Sequence, residues 1–276
     1  MEEKKVTIKY LMDKKRGRKK ITMLTAYDYP MARLEDEAGI DMILVGDSLG
    51  MVVLGYDSTL SVTMDDMIRH TQAVRRGTKY AFLVGDMPYK SYENAKDAVA
   101  NASRFMKEAG CDAVKLEGGT ESLEAAEAII NEGIPVMGHL GLTPQSIEKL
   151  GGYKVQGKTA EAAKVIIDDA KKLEKVGCFG LVLECIPTAI ADIITNELKI
   201  PTIGIGAGPG CDGQVLVISD MVGLFDRFTP KFVKKYIKLS PMILEAVKNY
   251  KKEVEEGKFP SEEHTFKIKA EELERI

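Results

Sequence analysis

The sequence has no CxxC pair, no apolar run near membrane length and no linker rich in Pro, Gly or Ser. Each absence removes a class of protein. Its four cysteines, Cys111, Cys178, Cys185 and Cys211, lie far apart in 276 residues. That argues for free thiols in a reducing cytosol rather than a disulfide framework or a zinc site. No stretch approaches the ~18 apolar residues of a membrane span, and the N-terminus has no apolar core of the signal-peptide kind. The expected location is the cytoplasm. Histidine is scarce: His70, His139 and His264 are all there are, and they form no ligand cluster with the cysteines. Excess charge is lacking too. A formal net charge of -3 gives no reason to expect nucleic acid or another polyanion as a general partner.

Only the first twenty residues are unbalanced, with nine Lys/Arg against three acids. A nucleic-acid arm is one reading of that run. The solvated face of an entry helix is the better one, because VTIKYLMDKK carries apolar residues able to pack on a core. No aromatic-rich binding surface goes with the charges.

What the chain does have is a repeat. Eight short apolar runs occur, at 21–26, 41–47, 81–86, 113–118, 134–141, 180–185, 200–208 and 214–219. Most are continuously apolar, as parallel strands covered on both faces are. Amphipathic helical segments lie between them, and four of these close at Gly39, Gly110, Gly133 and Gly177, residues suited to helix C-caps. Eight βα units favour a closed (β/α)8 TIM barrel, a fold of roughly 250 residues. The alternative is a doubly wound open sheet. The expected organisation is one domain over residues 1–276, with an N-terminal entry segment and a helical, charged tail from about residue 230.

An acid recurs where these runs end: Asp47 in VGDSLG, Asp86 in VGDMP, Glu117 in VKLEGG and Glu184 in VLECIP. One such acid is a helix N-cap or a solvated strand end; four make a pattern. In a parallel barrel every C-terminal strand end opens on one face, where active sites of this fold are built. Lys115 and Glu117, two apart, share a strand face. Facing the interior they must be paired with each other or bound to something, so a purely structural ion pair competes with a ligand site. Asp47, Asp86 and Glu117 brought together would repel and raise each other's pKa. A dication relieves this, and an all-oxygen set favours Mg2+ over zinc. His139 ends the fifth run, either beside the site or as a hydrogen-bonded structural histidine. The glycine-rich GIGAGPGCDGQ (204–214) is either a phosphate loop, or a segment whose glycines allow a tight turn or close backbone approach to another ligand.

Several of these segments are long and specific: TAYDYPMA, VGDSLGMVVLGYDSTLSVTMDDMIRHTQAVRRG, VKLEGG, GHLGLTPQS, GGYKVQGK, LVLECIP, IGIGAGPGCDGQVLV and FPSEEHTF. From about residue 5 to 266 the chain closely resembles the ketopantoate hydroxymethyltransferase family. The resemblance implies a (β/α)8 barrel and one Mg2+ per subunit. It implies transfer of a hydroxymethyl group from 5,10-methylenetetrahydrofolate to 3-methyl-2-oxobutanoate, through a Mg2+-stabilised enolate. The product is 2-dehydropantoate, on the way to pantothenate and coenzyme A. By position in the motifs, Asp47, Asp86 and Glu117 are the metal ligands. Asp47, Ser48, Asp86, Lys115 and His139 contact or neighbour the 2-oxo acid, and Glu184 is the catalytic base. The implied partners are small-molecule substrates and further copies of the chain, as a decamer, with no nucleic acid or membrane. The last ten residues, KIKAEELERI, run past the family's usual ending. Two other functions compete: a metal-dependent 2-oxo-acid aldolase or lyase that uses no folate, and a non-enzymatic scaffold whose acids serve stability alone.

Overall fold

The computed structural model describes residues 4–276. The chain forms two units, one reaching Ile218 and taking in Pro230–Val233, the other made of Ser219–Thr229 and Lys234–Ile276. The first unit is the barrel. Each apolar run becomes a strand: β1 (Ile21–Thr25), β2 (Met42–Val45), β3 (Phe82–Asp86), β4 (Ala113–Lys115), β5 (Val136–Gly141), β6 (Gly180–Glu184), β7 (Thr202–Ile205) and β8 (Gly213–Leu216). All are parallel and paired in chain order, and β8 returns to β1, so the sheet is closed rather than open. The eighth strand is shorter than its apolar run. Ile218 N–H donates to Thr25 Oγ1 (3.0 Å), and a helical turn, Ile218–Met221, follows.

The helices relevant below are α1 (Ile8–Arg16), α2 (Tyr29–Glu37), α3 (Leu49–Val52), α4 (Met64–Gly77), α5 (Ala95–Lys107), α6 (Leu123–Asn131), α7 (Ala160–Val176) and α8 (Thr188–Glu197). The four glycines expected to close helices all take positive φ, from 70° at Gly110 to 109° at Gly177, the left-handed conformation that suits glycine. Alternation along the strands sends Met23, Leu44, Val84, Ala113, Val182 and Ile203 into the barrel. Leu11 of α1 is fully buried in that cluster, with Val6 and Ile8 against it. The entry helix therefore packs on the core through its apolar residues, as VTIKYLMDKK predicts.

The lysines of that segment have a defined task. Asp41, Asp112 and Asp212 stand just before β2, β4 and β8. Each accepts a backbone N–H of a neighbouring strand, from Thr22 (2.8 Å), Leu83 (2.8 Å) and Thr202 (2.9 Å). Each also pairs with a lysine: Lys14 (2.6 Å), Lys5 (2.6 Å) and Lys15 (2.7 Å) respectively. Acids thus occur at both ends of the barrel, and those at the N-terminal end are fully engaged in structure.

In the second unit a regular helix, α9 (Leu239–Glu255), begins nine residues later than the expected 230. Among the described residues no helix is long and apolar enough to cross a membrane.

Helix α2 buries two adjacent acids with opposite outcomes. Asp36 accepts the N–H groups of Lys79, Tyr80 and Ala81 at 2.8–3.0 Å. Glu35 is equally buried, but neither carboxyl oxygen has a hydrogen-bond partner. Burial, helped by Asp28, pushes its pKa up to about 9 from 4.5. The folded chain then keeps a proton that the unfolded chain releases, so stability falls as pH rises from about 4.5 towards 9. Glu35→Gln is expected to raise Tm by several degrees at pH 8, with the gain vanishing near pH 4.5. A scanning-calorimetry shift of equal size at both pH values would contradict this.

Candidate active site at the C-terminal strand ends

The acids predicted to gather do gather. Asp86 ends β3 and Lys115 ends β4, and the two are register partners across the sheet. Lys115 Nζ lies 2.7 Å from Asp86 Oδ1 and 3.7 Å from Glu117 Oε1. His139, inside β5, continues the chain: Nδ1 is 3.3 Å from Glu117 Oε1 and Nε2 is 3.2 Å from Glu184 Oε2 at the end of β6. Asp47, two residues past β2, joins from the other side, its N–H donating to Asp86 Oδ2 (3.1 Å). A Cβ at Gly46 would crowd the Ser48 hydroxyl at 2.9 Å, so the glycine leaves room for that side chain. Ser48 is one step back. Its Oγ meets Tyr27 Oη at 2.8 Å, and the Tyr27 carbonyl oxygen lies 2.6 Å from His70 Nδ1 on α4.

The electrostatics follow from burial and charge count. Asp47, Asp86, Lys115, Glu117 and His139 are all buried. Burial, then repulsion by Asp86 and Glu117, lifts the Asp47 carboxyl well above its ordinary range. Burial also raises Asp86, although Lys115 opposes it. Glu117 goes the other way: burial pushes it up, but Lys115 and His139 outweigh that and hold it low. Burial and Lys115 pull His139 down, yet the Glu117 and Glu184 carboxylates beside its two nitrogens bring it to about 9. Were all four carboxyls ionised, they would exceed Lys115 and a protonated His139 by two negative charges, and that excess is the repulsion that, with burial, raises Asp47. A dication carries the charge that is missing, and an all-carboxylate set suits Mg2+. Among the described residues no three His, Cys, Asp or Glu side chains form a ready metal cage. Lys115 Nζ instead lies between Asp86 and Glu117. Because Mg2+ is usually held by one or two carboxylates plus substrate and water, these acids fit a metal whose shell the substrate completes.

Two residues absent from the sequence reading hold the site together. Buried Gln145 donates its side-chain N–H to Asp47 Oδ2 (2.9 Å) and Met87 O (3.0 Å), and its backbone N–H to Glu117 Oε2 (3.0 Å). Tyr92 Oη donates to Gln145 Oε1 (2.6 Å) and accepts from Glu117 N–H (3.2 Å). One amide thereby fixes Asp47 relative to Glu117. Gln145 lies within GHLGLTPQS and Tyr92 in the loop after β3, but neither carries a charge that would mark it. Gln145→Leu strands Asp47 Oδ2 and Tyr92 Oη without their partner. It is expected to weaken Mg2+ binding about 10-fold or more and lower stability by roughly 1–3 kcal/mol. Unchanged Mg2+ affinity by calorimetric titration would remove Gln145 from this role.

The glycine-rich loop after β7 makes a close backbone approach, but not to a ligand. A Cβ at Gly206, Gly208 or Gly210 would run into Phe232, Thr188 or Asp192, so the close approach is to the chain's own side chains.

Comparison with known proteins completes the description. The family described as "Ketopantoate hydroxymethyltransferase" matches residues 5–262. The chain belongs to that family. A 3-methyl-2-oxobutanoate hydroxymethyltransferase of Syntrophomonas wolfei is 60% identical over 273 residues, covering 99% of each chain. One from Desulfotalea psychrophila is 59% identical, covering 94% of each. Among solved structures the barrel is similar to phosphonopyruvate hydrolase, with a TM-score of 0.62 at 12% identity, covering 97% of this chain and 93% of that one. It is also similar to 2,3-dimethylmalate lyase, with a TM-score of 0.58 at 14% identity, covering 97% and 93%. These two likenesses concern the fold.

Proposed function

We propose that the protein transfers a hydroxymethyl group from 5,10-methylenetetrahydrofolate to 3-methyl-2-oxobutanoate, giving 2-dehydropantoate for pantothenate synthesis. The observation that carries this is the unbroken run of contacts from Asp86 through Lys115, Glu117 and His139 to Glu184, in a member of this family. Asp47, Asp86 and Glu117 would hold Mg2+, directly or through water. Bound Mg2+ supplies a Lewis acid for the keto and carboxylate oxygens of the 2-oxo acid. Lys115, anchored by two carboxylates, offers its ammonium to the substrate carboxylate. Ser48 and His139 line the same end. Glu184 takes the proton from C3; its side chain is 17% exposed against 2–3% for Asp86 and Glu117, so it can meet an incoming carbon acid. The His139 imidazolium, its Nε2 3.2 Å from that carboxylate, holds it in place by charge, and Glu184 can pass the proton on to a nitrogen of the departing folate. The enolate carbon then forms a bond to the folate-derived methylene carbon, the carbon–nitrogen bonds to folate break, and water supplies the hydroxyl oxygen.

The same reading takes the enzyme to be cytoplasmic and homo-oligomeric, a decamer by family resemblance. An assay with 3-methyl-2-oxobutanoate, methylenetetrahydrofolate and Mg2+ tests the reaction. Product should form with the folate and fail to form when a free aldehyde replaces it. Equal product from the free aldehyde would favour a folate-independent aldolase.

A further inference from the structure

The basic entry segment carries more positive charge than the barrel uses. Lys5, Lys14 and Lys15 are engaged by Asp112, Asp41 and Asp212, and Arg16 by Asp13. Lys20 Nζ donates to the carbonyl oxygens of Pro209 and Cys211. Lys4, Lys9, Arg18 and Lys19 are left, with no side-chain hydrogen-bonding or ionic partner among the described residues, and of these Arg18 and Lys19 lie together at one end of the barrel. Their backbone is nonetheless held in place. Arg18 N–H donates to Lys15 O (3.0 Å) and Lys19 N–H to Lys14 O (2.8 Å). Arg18 sits at φ 52°, a left-handed conformation that costs a non-glycine residue energy.

Both side chains open onto a cavity of about 510 Å³. Its walls are Lys15 and Lys20 from the same segment, the end of α8 (Thr195, Asn196, Leu198), and Gly210 and Asp212 just ahead of β8. This is the N-terminal end of the barrel, opposite the catalytic acids. Four cations and one carboxylate line it, for a net charge of +3. The carboxylate is already committed, since Asp212 accepts from Lys15, Thr202 N–H and Thr202 Oγ1. Asp192 packs against Gly210, and Glu197 between Asn196 and Leu198 pairs with Lys171; neither lines the space. A solvated basic surface would explain charge alone. It does not explain charge gathered around a concave space of this size.

We propose that this cavity is a second ligand site, for a small molecule bearing a diphosphate group. The excess charge matches such an anion. Arg18 offers a planar guanidinium suited to bidentate phosphate contact, Lys19 adds a mobile ammonium, and the Asn196 amide lies on the wall beside them. The volume lies within the range of roughly 300–1,000 Å³ typical of ligand pockets and exceeds the needs of a single phosphate. None of these residues belongs to the acidic site, so occupancy here does not compete with the 2-oxo acid.

Calorimetric titration of the full chain with inorganic pyrophosphate, at low salt and without added Mg2+, tests the proposal. One binding site per chain is expected. Arg18→Ala/Lys19→Ala should weaken it at least tenfold while leaving turnover without pyrophosphate unchanged. Lys251→Ala/Lys252→Ala, which removes two exposed lysines of α9, should leave binding as in the wild type. No binding would overturn the proposal. So would wild-type affinity in the Arg18/Lys19 variant, or an equal loss in both variants, which would mean diffuse attraction to surface charge.

Discussion

Glu184→Gln should lose turnover by roughly 10²–10⁴-fold, the usual contribution of a general base, while still binding Mg2+ and 3-methyl-2-oxobutanoate. The substitution is nearly isosteric. It keeps an oxygen able to face His139 Nε2, 3.2 Å away in the wild type, but an amide oxygen is too weakly basic to accept the proton. The acids proposed to hold the metal are untouched, since Glu184 contacts the cluster only through His139. The pattern expected is therefore a collapse of kcat with little change in calorimetric affinity for metal or 2-oxo acid. If affinity and kcat fall together, Glu184 acts in binding, and His139 becomes the next candidate for the base.

Asp86→Asn should reduce Mg2+ affinity by about 100-fold or more, exceeding the effect of losing a residue that merely supports a ligand. Asp86 ties two neighbours of the site together, receiving Asp47 N–H on one oxygen with Lys115 Nζ beside the other. Asparagine cannot balance the ammonium, and it cuts the negative charge available to a dication. The fold should survive, because Lys115 keeps Glu117 and the barrel core lies below. Mg2+ titration paired with a thermal melt checks both halves. Normal metal affinity in a folded variant would contradict the ligand assignment.

The barrel was legible because its signals are local. A continuous apolar run, a polar turn, an amphipathic helix and a closing glycine repeat along the chain, and each piece specifies itself. Glu184, Lys115 and Glu117 were legible for a related reason: strand alternation and the shared C-terminal face turn distant positions into neighbours. Other features depend on contacts that no local pattern encodes. Asp41 and Asp47 flank the same strand, yet Asp41 is consumed by Lys14 and the strand edge while Asp47 meets Asp86 and Gln145. Only strand direction and the docking of the entry helix separate their roles. Gln145 binds Asp47 from 98 residues away, and an uncharged amide in a loop gives no hint of that. Glu35 was equally hidden, since an acid in an amphipathic helix reads as solvated until burial is seen. The last strand ends early because Thr25, at the far end of the barrel's sequence, captures the N–H of Ile218.

The central claim is that these acids, with a divalent cation, remove the C3 proton of a 2-oxo acid. That step needs no folate and can be followed alone. The wild-type protein is incubated with 3-methyl-2-oxobutanoate in D2O, and the C3 proton signal is followed by NMR. With Mg2+ the signal should disappear by exchange, and without the metal it should persist. Exchange that proceeds equally without any divalent cation, or no exchange even with Mg2+ present, would contradict the account.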